Sequence, residues 1–427
     1  VTGRQPQPSS SPGAPARVPR RWLLLIFLLA FSLRAGWGTW RLAGSDDTTR
    51  LEFPDEQQYW LMAQSLYSGD GLVDELGFRA TRMPLYPALL ALSAGSAHGV
   101  IWAKAWHWVV GALAAALAMY LAGAMFDRRV ALGAGLWVAC DPFLVFFSSL
   151  LLTETLSIAL LLALWIAAWP IWRAADARGS WPRWLAVAAL AVACVYARES
   201  SAGLIGLLLV LLIGRHRGRR RVVAGAAGVA GLVVLALLPW AWRNQHVTGD
   251  FCFLTHRGGI SLYDGVGPQA RGDSDLGDIK QMPAVQGLNE VEWNRYFLRE
   301  AKRAMAADPG RIARLAVVKW ARLWNPIPNV ETYQSAVIRL LAAAWTLPTF
   351  ALAAAAVILL GCRRDGRGGG VVLWLLLPAL YATALHALFV GSVRYRLGAM
   401  PMLEVLAAWA LVELWGRCCR RLRTHDV

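Results

Sequence analysis

Charge is scarce in this chain, and negative charge is scarcer still. Only 16% of the 427 residues are charged, with 27 Asp and Glu against 43 Lys and Arg. With 57% hydrophobic residues and 22 Trp, a soluble domain has no means of hiding so much apolar surface, so the composition excludes one. The six cysteines, Cys140, Cys194, Cys252, Cys362, Cys418 and Cys419, show neither a disulfide framework nor zinc-ligand spacing. No internal repeat is evident, and the two halves lack the correspondence that paired-repeat transporters display. A net charge of +16 would suggest a nucleic-acid partner in a soluble protein. Here most of the arginine sits in short loops beside apolar runs, which reads as membrane topology and contact with anionic headgroups, with no nucleic acid expected.

Six basic clusters punctuate the apolar runs: Arg17/Arg20/Arg21, Arg128/Arg129, Arg173/Arg178/Arg183, Arg215/Arg217/Arg219/Arg220/Arg221, Arg363/Arg364/Arg367 and Arg417/Arg420/Arg421/Arg423. If all lie in the cytoplasm, as the positive-inside rule predicts, the segments between them cross in pairs. Crossings are expected at 22–40, 100–125, 130–150, 152–172, 183–198, 201–214, 222–241, 333–361, 371–390 and 398–416. The expectation is an all-α multi-pass protein of about ten transmembrane helices in the cell (inner) membrane, both termini cytoplasmic. A disordered tail covers 1–20, the membrane domain 21–416, and a basic tail 417–427. Residues 84–97 are too short to span and read as interfacial or re-entrant. The short pair 183–198 and 201–214 reads as a hairpin whose tip dips below the outer surface.

Two outward segments are long enough to carry function, 41–82 and 242–332. In the first, Pro54 opens and Gly69 closes an amphipathic helix whose Tyr59, Trp60, Met62, Ala63 and Leu66 suit the membrane interface. In the second, helices are expected near 289–307 and 309–324. The Trp-rich span boundaries read as an aromatic belt.

Several residues on the outward side could carry chemistry. Asp55 and Glu56 stand in the first turn of a helix, where the dipole alone would favour them. Glu154 opens a span at the membrane boundary, where a carboxylate is expensive. Arg198, Arg243, Arg394 and Arg396 abut spans on the side that positive charge avoids, so each calls for an acid, a phosphate or a headgroup. Arginines inside the long second loop, such as Arg257 and Arg271, carry less weight because long loops escape that rule. His107 and His386 read as core histidines, and His256 has no spaced partner. Asp46, Asp47, Glu52, Asp55 and Glu56 could bind a divalent cation, yet carboxylates clustered on a loop are often merely solvated, so no metal site is assigned.

Taken in order, the motifs resemble the polyprenyl-phosphate-dependent glycosyltransferases of the GT-C fold. The resemblance rests on Phe53-Pro54-Asp55-Glu56 with Tyr59, on Thr81-Arg82-Met83-Pro84-Leu85-Tyr86-Pro87 and on Leu152-Thr153-Glu154. It continues through Pro239-Trp240-Ala241-Trp242-Arg243-Asn244, Gly249-Asp250-Phe251 and Arg394-Tyr395-Arg396-Leu397. It is strongest to family 39, the bacterial protein O-mannosyltransferase and lipid A aminoarabinose transferase group. Met83, Val266 and Gly398 depart from the usual pattern without removing a proposed catalytic group, and no large outward C-terminal domain is expected after the last span.

The resemblance implies inverting transfer of a hexosyl or pentosyl group from a polyprenyl phosphate to an acceptor hydroxyl, on a lipid, glycan or protein, at the outer face. Asp55 is the implied base, with Glu56 as a weaker alternative, and Glu154 orients it or the acceptor. Arg243, Arg394 and Arg396, with Arg82 and Arg198 behind them, would hold the donor phosphate. Asp55, Glu154 and Arg396 are expected to converge on one cavity beside a lipid-facing groove from spans near 201–241 and 371–416. The competing expectation is a transporter of polyprenyl lipids or small solutes.

Overall fold

The computed structural model describes residues 17–44, 51–174, 181–274, 276–362 and 367–425. The N-terminal tail to residue 16, Asp46, Asp47, Arg178, Arg363 and Arg364 lie outside the described residues. Among the described residues there are eighteen α-helices and no strand.

The first helix, α1 (Arg20–Ala43), buries Ile26, Ala30, Arg34 and Gly38 at four-residue intervals. It leaves Leu24, Leu25, Leu28, Leu29 and Leu33 exposed, the pattern of a helix with one side in lipid. The second, α2 (Pro54–Ser68), begins where proline's missing N–H costs nothing. It ends at Gly69, whose φ of 91° is open to glycine and strained for other residues. Ten-residue α3 (Leu85–Ala94) is too short to cross. It packs against α2, and the apolar face of α2 (Tyr59, Met62, Ala63) is buried by protein rather than laid in the membrane interface.

Long α4 (Gly99–Met125) carries small buried residues, Ala103, Gly111, Ala112, Ala115, Ala118 and Ala122, which let neighbouring backbones approach closely. The crossing expected over 130–150 is broken into α5 (Arg128–Cys140) and α6 (Pro142–Phe147). Asp141 accepts hydrogen bonds from the amides of Phe143 and Leu144 at 2.7 and 3.0 Å, and Pro142 offers no amide of its own, so a new helix starts there. Then come α7 (Thr153–Arg173), the short pair α8 (Trp181–Ala197) and α9 (Ser201–Arg215), and the lipid-exposed α10 (Arg220–Thr248).

The second long loop holds α11 (Gly258–Val266), α12 (Leu276–Lys280), α13 (Glu290–Ala307) and α14 (Pro309–Leu323). The chain closes with α15 (Ala336–Gly361), α16 (Arg367–His386), the four-residue α17 (Val393–Arg396) and α18 (Met400–His425). The last helix therefore continues past residue 416 to His425.

Six of these helices, α1, α4, α7, α10, α15 and α16, are long and apolar enough to cross a membrane; α8 and α9 are apolar but shorter. The result is an all-α multi-pass membrane bundle. Its core joins α1, α4, α5, α7, α15, α16 and α18. Not all the tryptophan belongs to an interfacial belt: Trp374 of α16 is buried among Trp165, Trp169 and Trp172 of α7, ring centroids 5.1–5.8 Å apart. That packing ties α16, and through it α17, to the helix that begins at Glu154.

Candidate active site

Asp55, Gln58 and Tyr59 stand at helical positions i, i+3 and i+4, so one face of α2 presents all three. Asp55 Oδ2 accepts from Arg394 Nη1 at 2.6 Å, Oδ1 is paired with Arg82, and Arg257 Nη2 lies 3.8 Å from Oδ1. Arg82 is steadied on its other side by Gln58 Oε1 at 2.7 Å, and its guanidinium lies 4.7 Å from the Tyr59 ring centroid. Gln58 Oε1 also faces Arg257 Nη1 at 3.4 Å.

Glu154 is the second carboxylate, on the first turn of α7 and 2% exposed. Arg394 reaches it through Nε at 2.6 Å, and Arg198 through Nη1 at 2.9 Å. A single guanidinium, Arg394, thus spans Asp55 and Glu154, residues almost a hundred positions apart. The short α8–α9 hairpin explains how Arg198 arrives: its turn stops at the level where α7 begins, and Tyr381 of α16 donates to the Ser200 carbonyl at 2.5 Å. Tyr395 lies beneath both arginines, 5.5 Å from Arg198 and 5.8 Å from Arg394, and stacks on His386 with centroids 4.3 Å apart.

The electrostatics follow from this geometry. Burial opposes ionisation of Asp55, but the pull of Arg82, Arg394 and Arg257 outweighs it and holds the carboxyl well below the usual range. Four guanidiniums face the two paired carboxylates, with Glu199 as a third acid acting on Arg257, so positive charge is in excess beside a half-buried surface, since Asp55 keeps 24% of its side chain exposed. Fully paired buried charges need no ligand, whereas an excess of arginine forks presents donors suited to phosphate oxygens.

Three residues expected at the site stand elsewhere. Glu56 is fully buried; Oε1 accepts from the Leu151 amide at 2.7 Å, and Oε2 from the Glu52 and Phe53 amides at 3.0 and 3.1 Å. It caps α2 and fastens it to the loop before α7, while burial pushes its carboxyl up. Arg243 donates to the Arg79 carbonyl at 2.6 Å and covers Trp240 at 4.9 Å. Its carbonyl partner sits beside the Glu290 carboxylate, which accepts from the Arg79 and Ala80 amides, so Arg243 braces the loop leading to Arg82 without touching Asp55.

Arg396 turns away from Arg394, because two residues on a helix are separated by about 200°. It is fully buried, donates to the Leu323 carbonyl at 3.3 Å and to that of Asn325, and lies between the Phe143 and Phe350 rings at 5.2 and 5.3 Å. It is not joined to the Asp55 cluster. Arg34, Asp141 and Glu404 are buried nearby in the bundle.

Arg257, given less weight in the sequence, and Gln58, which was not singled out there, both contact the cluster. Gly258-Gly259 was the available signal for Arg257: a Cβ on Gly259 would come 2.1 Å from the Asn294 carbonyl oxygen, so only glycine lets α11 start against α13 and set the preceding arginine in place. For Gln58 the signal was its spacing from Asp55. Among the described residues no group of three His, Cys, Asp or Glu side chains could hold a metal ion, and Glu52 of the acidic loop is engaged by Arg41 and Tyr333.

No family model and no curated protein sequence matches the chain. Solved structures do. The archaeal oligosaccharyltransferase AglB from Archaeoglobus fulgidus, in complex with an inhibitory peptide and a dolichol-phosphate, superposes with a TM-score of 0.61 over 96% of this chain at 15% identity. Its apo form gives a TM-score of 0.58 over 95% at 13% identity. The chain has the GT-C fold. It spans about half the length of the archaeal enzyme, covering 52% of it. ArnT from Cupriavidus metallidurans bound to undecaprenyl phosphate matches more loosely, with a TM-score of 0.42 at 15% identity over 92% of this chain and 76% of that one. Within the GT-C frame the Asp55–Arg394–Glu154 bridge lies where the first long loop, the start of α7 and the start of α17 meet.

Proposed function

We propose that this protein is a membrane glycosyltransferase that moves a sugar from a polyprenyl phosphate to an acceptor hydroxyl, with inversion, at the outer face of the membrane. The observation that carries the reading is the Asp55–Arg394–Glu154 bridge and the excess of guanidinium around it. The GT-C likeness adds support, since the archaeal neighbour was solved with a dolichol-phosphate, itself a polyprenyl phosphate.

Each residue type suits the chemistry. Asp55 accepts the proton of the acceptor hydroxyl as that oxygen attacks the anomeric carbon. Glu154, held by two arginines, orients Arg394 and is no nucleophile, which agrees with a single displacement and inversion. As the bond between sugar and phosphate breaks, the leaving lipid phosphate gains negative charge, and Arg394, Arg198, Arg82 and Arg257 stabilise it in a water-poor site. The lipid tail would remain in hydrocarbon beside α9, α10 and α16, whose Val210, Leu235 and Leu380 are exposed.

The test is transfer from labelled polyprenyl-phosphate sugars by the purified protein, with a panel of alkyl glycosides, lipids and serine peptides as acceptors. Formation of a labelled product, or of free sugar by slow transfer to water, is expected. Binding of polyprenyl phosphate without any transfer would favour a lipid carrier instead.

A further inference from the structure

In the donor-free protein the proposed base is occupied: Asp55 gives one oxygen to Arg82 and the other to Arg394. The hold of Arg394 is divided, since the same guanidinium also grips Glu154 through Nε at 2.6 Å and Nη2 at 3.4 Å. Among the described residues, Arg394 is the cation at Asp55 that also forms an ion pair with a second carboxylate, on which it remains anchored if it releases the first; Arg257 feels Glu199 at longer range. Resting on the function proposed above, we infer that the donor's phosphate takes the Nη1 end of Arg394 from Asp55, so that Asp55 is released to accept the acceptor's proton only in the donor-loaded protein. Arg394 is then a positioning residue for the base as well as a phosphate ligand, and donor binding precedes productive acceptor binding.

Charge and atoms balance at each stage. With donor bound, one phosphate oxygen replaces the Asp55 oxygen on Arg394. In the transfer the acceptor O–H gives its proton to Asp55, the acceptor oxygen bonds to the anomeric carbon, and the electron pair of the broken sugar–oxygen bond stays on the phosphate. The groups that face Asp55 are Arg82 from the loop after α2, Arg394 from α17 and Arg257 ahead of α11, with Tyr59 below Arg82 and Glu154 and Glu199 beyond Arg394 and Arg257. Loss of one close cation and arrival of one anion both favour the protonated carboxyl, whose affinity for protons the arginines otherwise hold down.

The experiment uses the full chain in nanodiscs and decaprenyl phosphate, the lipid without its sugar. Modification of Asp55 by a water-soluble carbodiimide, which requires the protonated carboxyl, is followed across a pH series by peptide mass spectrometry, with lipid binding measured separately by native mass spectrometry. The midpoint, rather than the extent, is read, because a bound lipid that merely shields Asp55 lowers the extent alone. Bound decaprenyl phosphate is expected to raise the midpoint by about one to three pH units. Arg394→Gln should show a raised midpoint without lipid and little further rise with it. Arg394→Lys, which keeps the charge but loses the fork, should lie between and serves if the glutamine variant fails to fold.

Lipid binding with an unchanged or lowered midpoint overturns the inference and leaves the proposed function standing. An equal lipid-dependent rise in Arg394→Gln and the unsubstituted protein also overturns it, because coupling would not run through Arg394. Absence of any decaprenyl phosphate binding overturns both.

Discussion

An arginine cluster open to the surface and one sealed inside the bundle do different work in this protein. Around Asp55 and Glu154 there are four arginines for two paired carboxylates, with Glu199 nearby and part of Asp55 open to the surface. Inside the bundle, Arg34 and Arg396 share a neighbourhood with the carboxyl groups of Asp141 and Glu404, all four side chains buried. The second group ties helices together: Arg34 of α1 donates to the Ala139 and Val138 carbonyls of α5 at 3.1 and 3.2 Å, and Arg396 of α17 to the end of α14. The first group is left with unspent positive charge. Arginines sealed against backbone carbonyls mark a structural role, and an excess of guanidinium at an opening marks a place for an anion.

The sharpest way to test that contrast is at the base. Asp55→Asn keeps the volume and some hydrogen bonding but cannot take a proton. It is expected to lower transfer by about 10²–10⁴-fold while donor affinity is retained or improved, since a competitor for Arg394 and Arg82 is weakened. Single-turnover transfer from a labelled polyprenyl-phosphate sugar, with donor binding assayed in parallel, reads both. Near-normal turnover would remove Asp55 from the mechanism.

Next in size is a loss of stability from the sealed group. Arg396→Ala leaves its partners buried without their cation and is expected to cost about 3–5 kcal/mol, seen as a lowered melting temperature and poor recovery from detergent. The protein that survives should bind donor nearly as well as the original. A selective loss of donor affinity with unchanged melting would mean that Arg396, not Arg394 alone, meets the phosphate.

Arg394→Ala is the counterpart in the open group, with an effect on affinity instead. Charge-assisted hydrogen bonds are worth about 1.5–3 kcal/mol, so donor affinity should fall by about ten- to a hundredfold. Isothermal titration or native mass spectrometry with decaprenyl phosphate measures it. Unchanged affinity would place the phosphate elsewhere.

Much of this was legible in the sequence, for identifiable reasons. The positive-inside rule put Asp55, Arg82, Glu154, Arg198 and Arg394 on one face, and these are the residues that join. Pro54 and Gly69 set the ends of the helix that carries Asp55, because their backbone requirements are local. What could not be read were distinctions that depend on packing. Arg394 and Arg396 stand in one motif two residues apart, and only helical rotation, with Phe143 and Phe350 from distant segments, sends the second into the core. Glu56 stood as a weaker alternative base until the Leu151 amide, 95 residues away, claimed it. Arg257 lay in a loop that the charge rule does not reach, and its place depends on how α11 meets α13.

The smallest effects separate the two remaining arginines. Arg257 is 3.8 Å from Asp55, beyond direct hydrogen bonding, so Arg257→Ala should weaken donor binding by only a few-fold, within the roughly 1 kcal/mol expected of a longer-range charge contact. Arg243 touches no member of the cluster; it donates to the Arg79 carbonyl and to Asn244 Oδ1. Arg243→Ala should leave donor affinity within about twofold and act on folding, by about 1 kcal/mol for one lost backbone contact. Measured side by side at two salt concentrations, Arg257→Ala should flatten the salt dependence of donor binding and Arg243→Ala should not, because only a charge that faces the phosphate is screened along with it. If the two variants behave alike in that comparison, the boundary drawn here between the anion site and its scaffold runs in the wrong place.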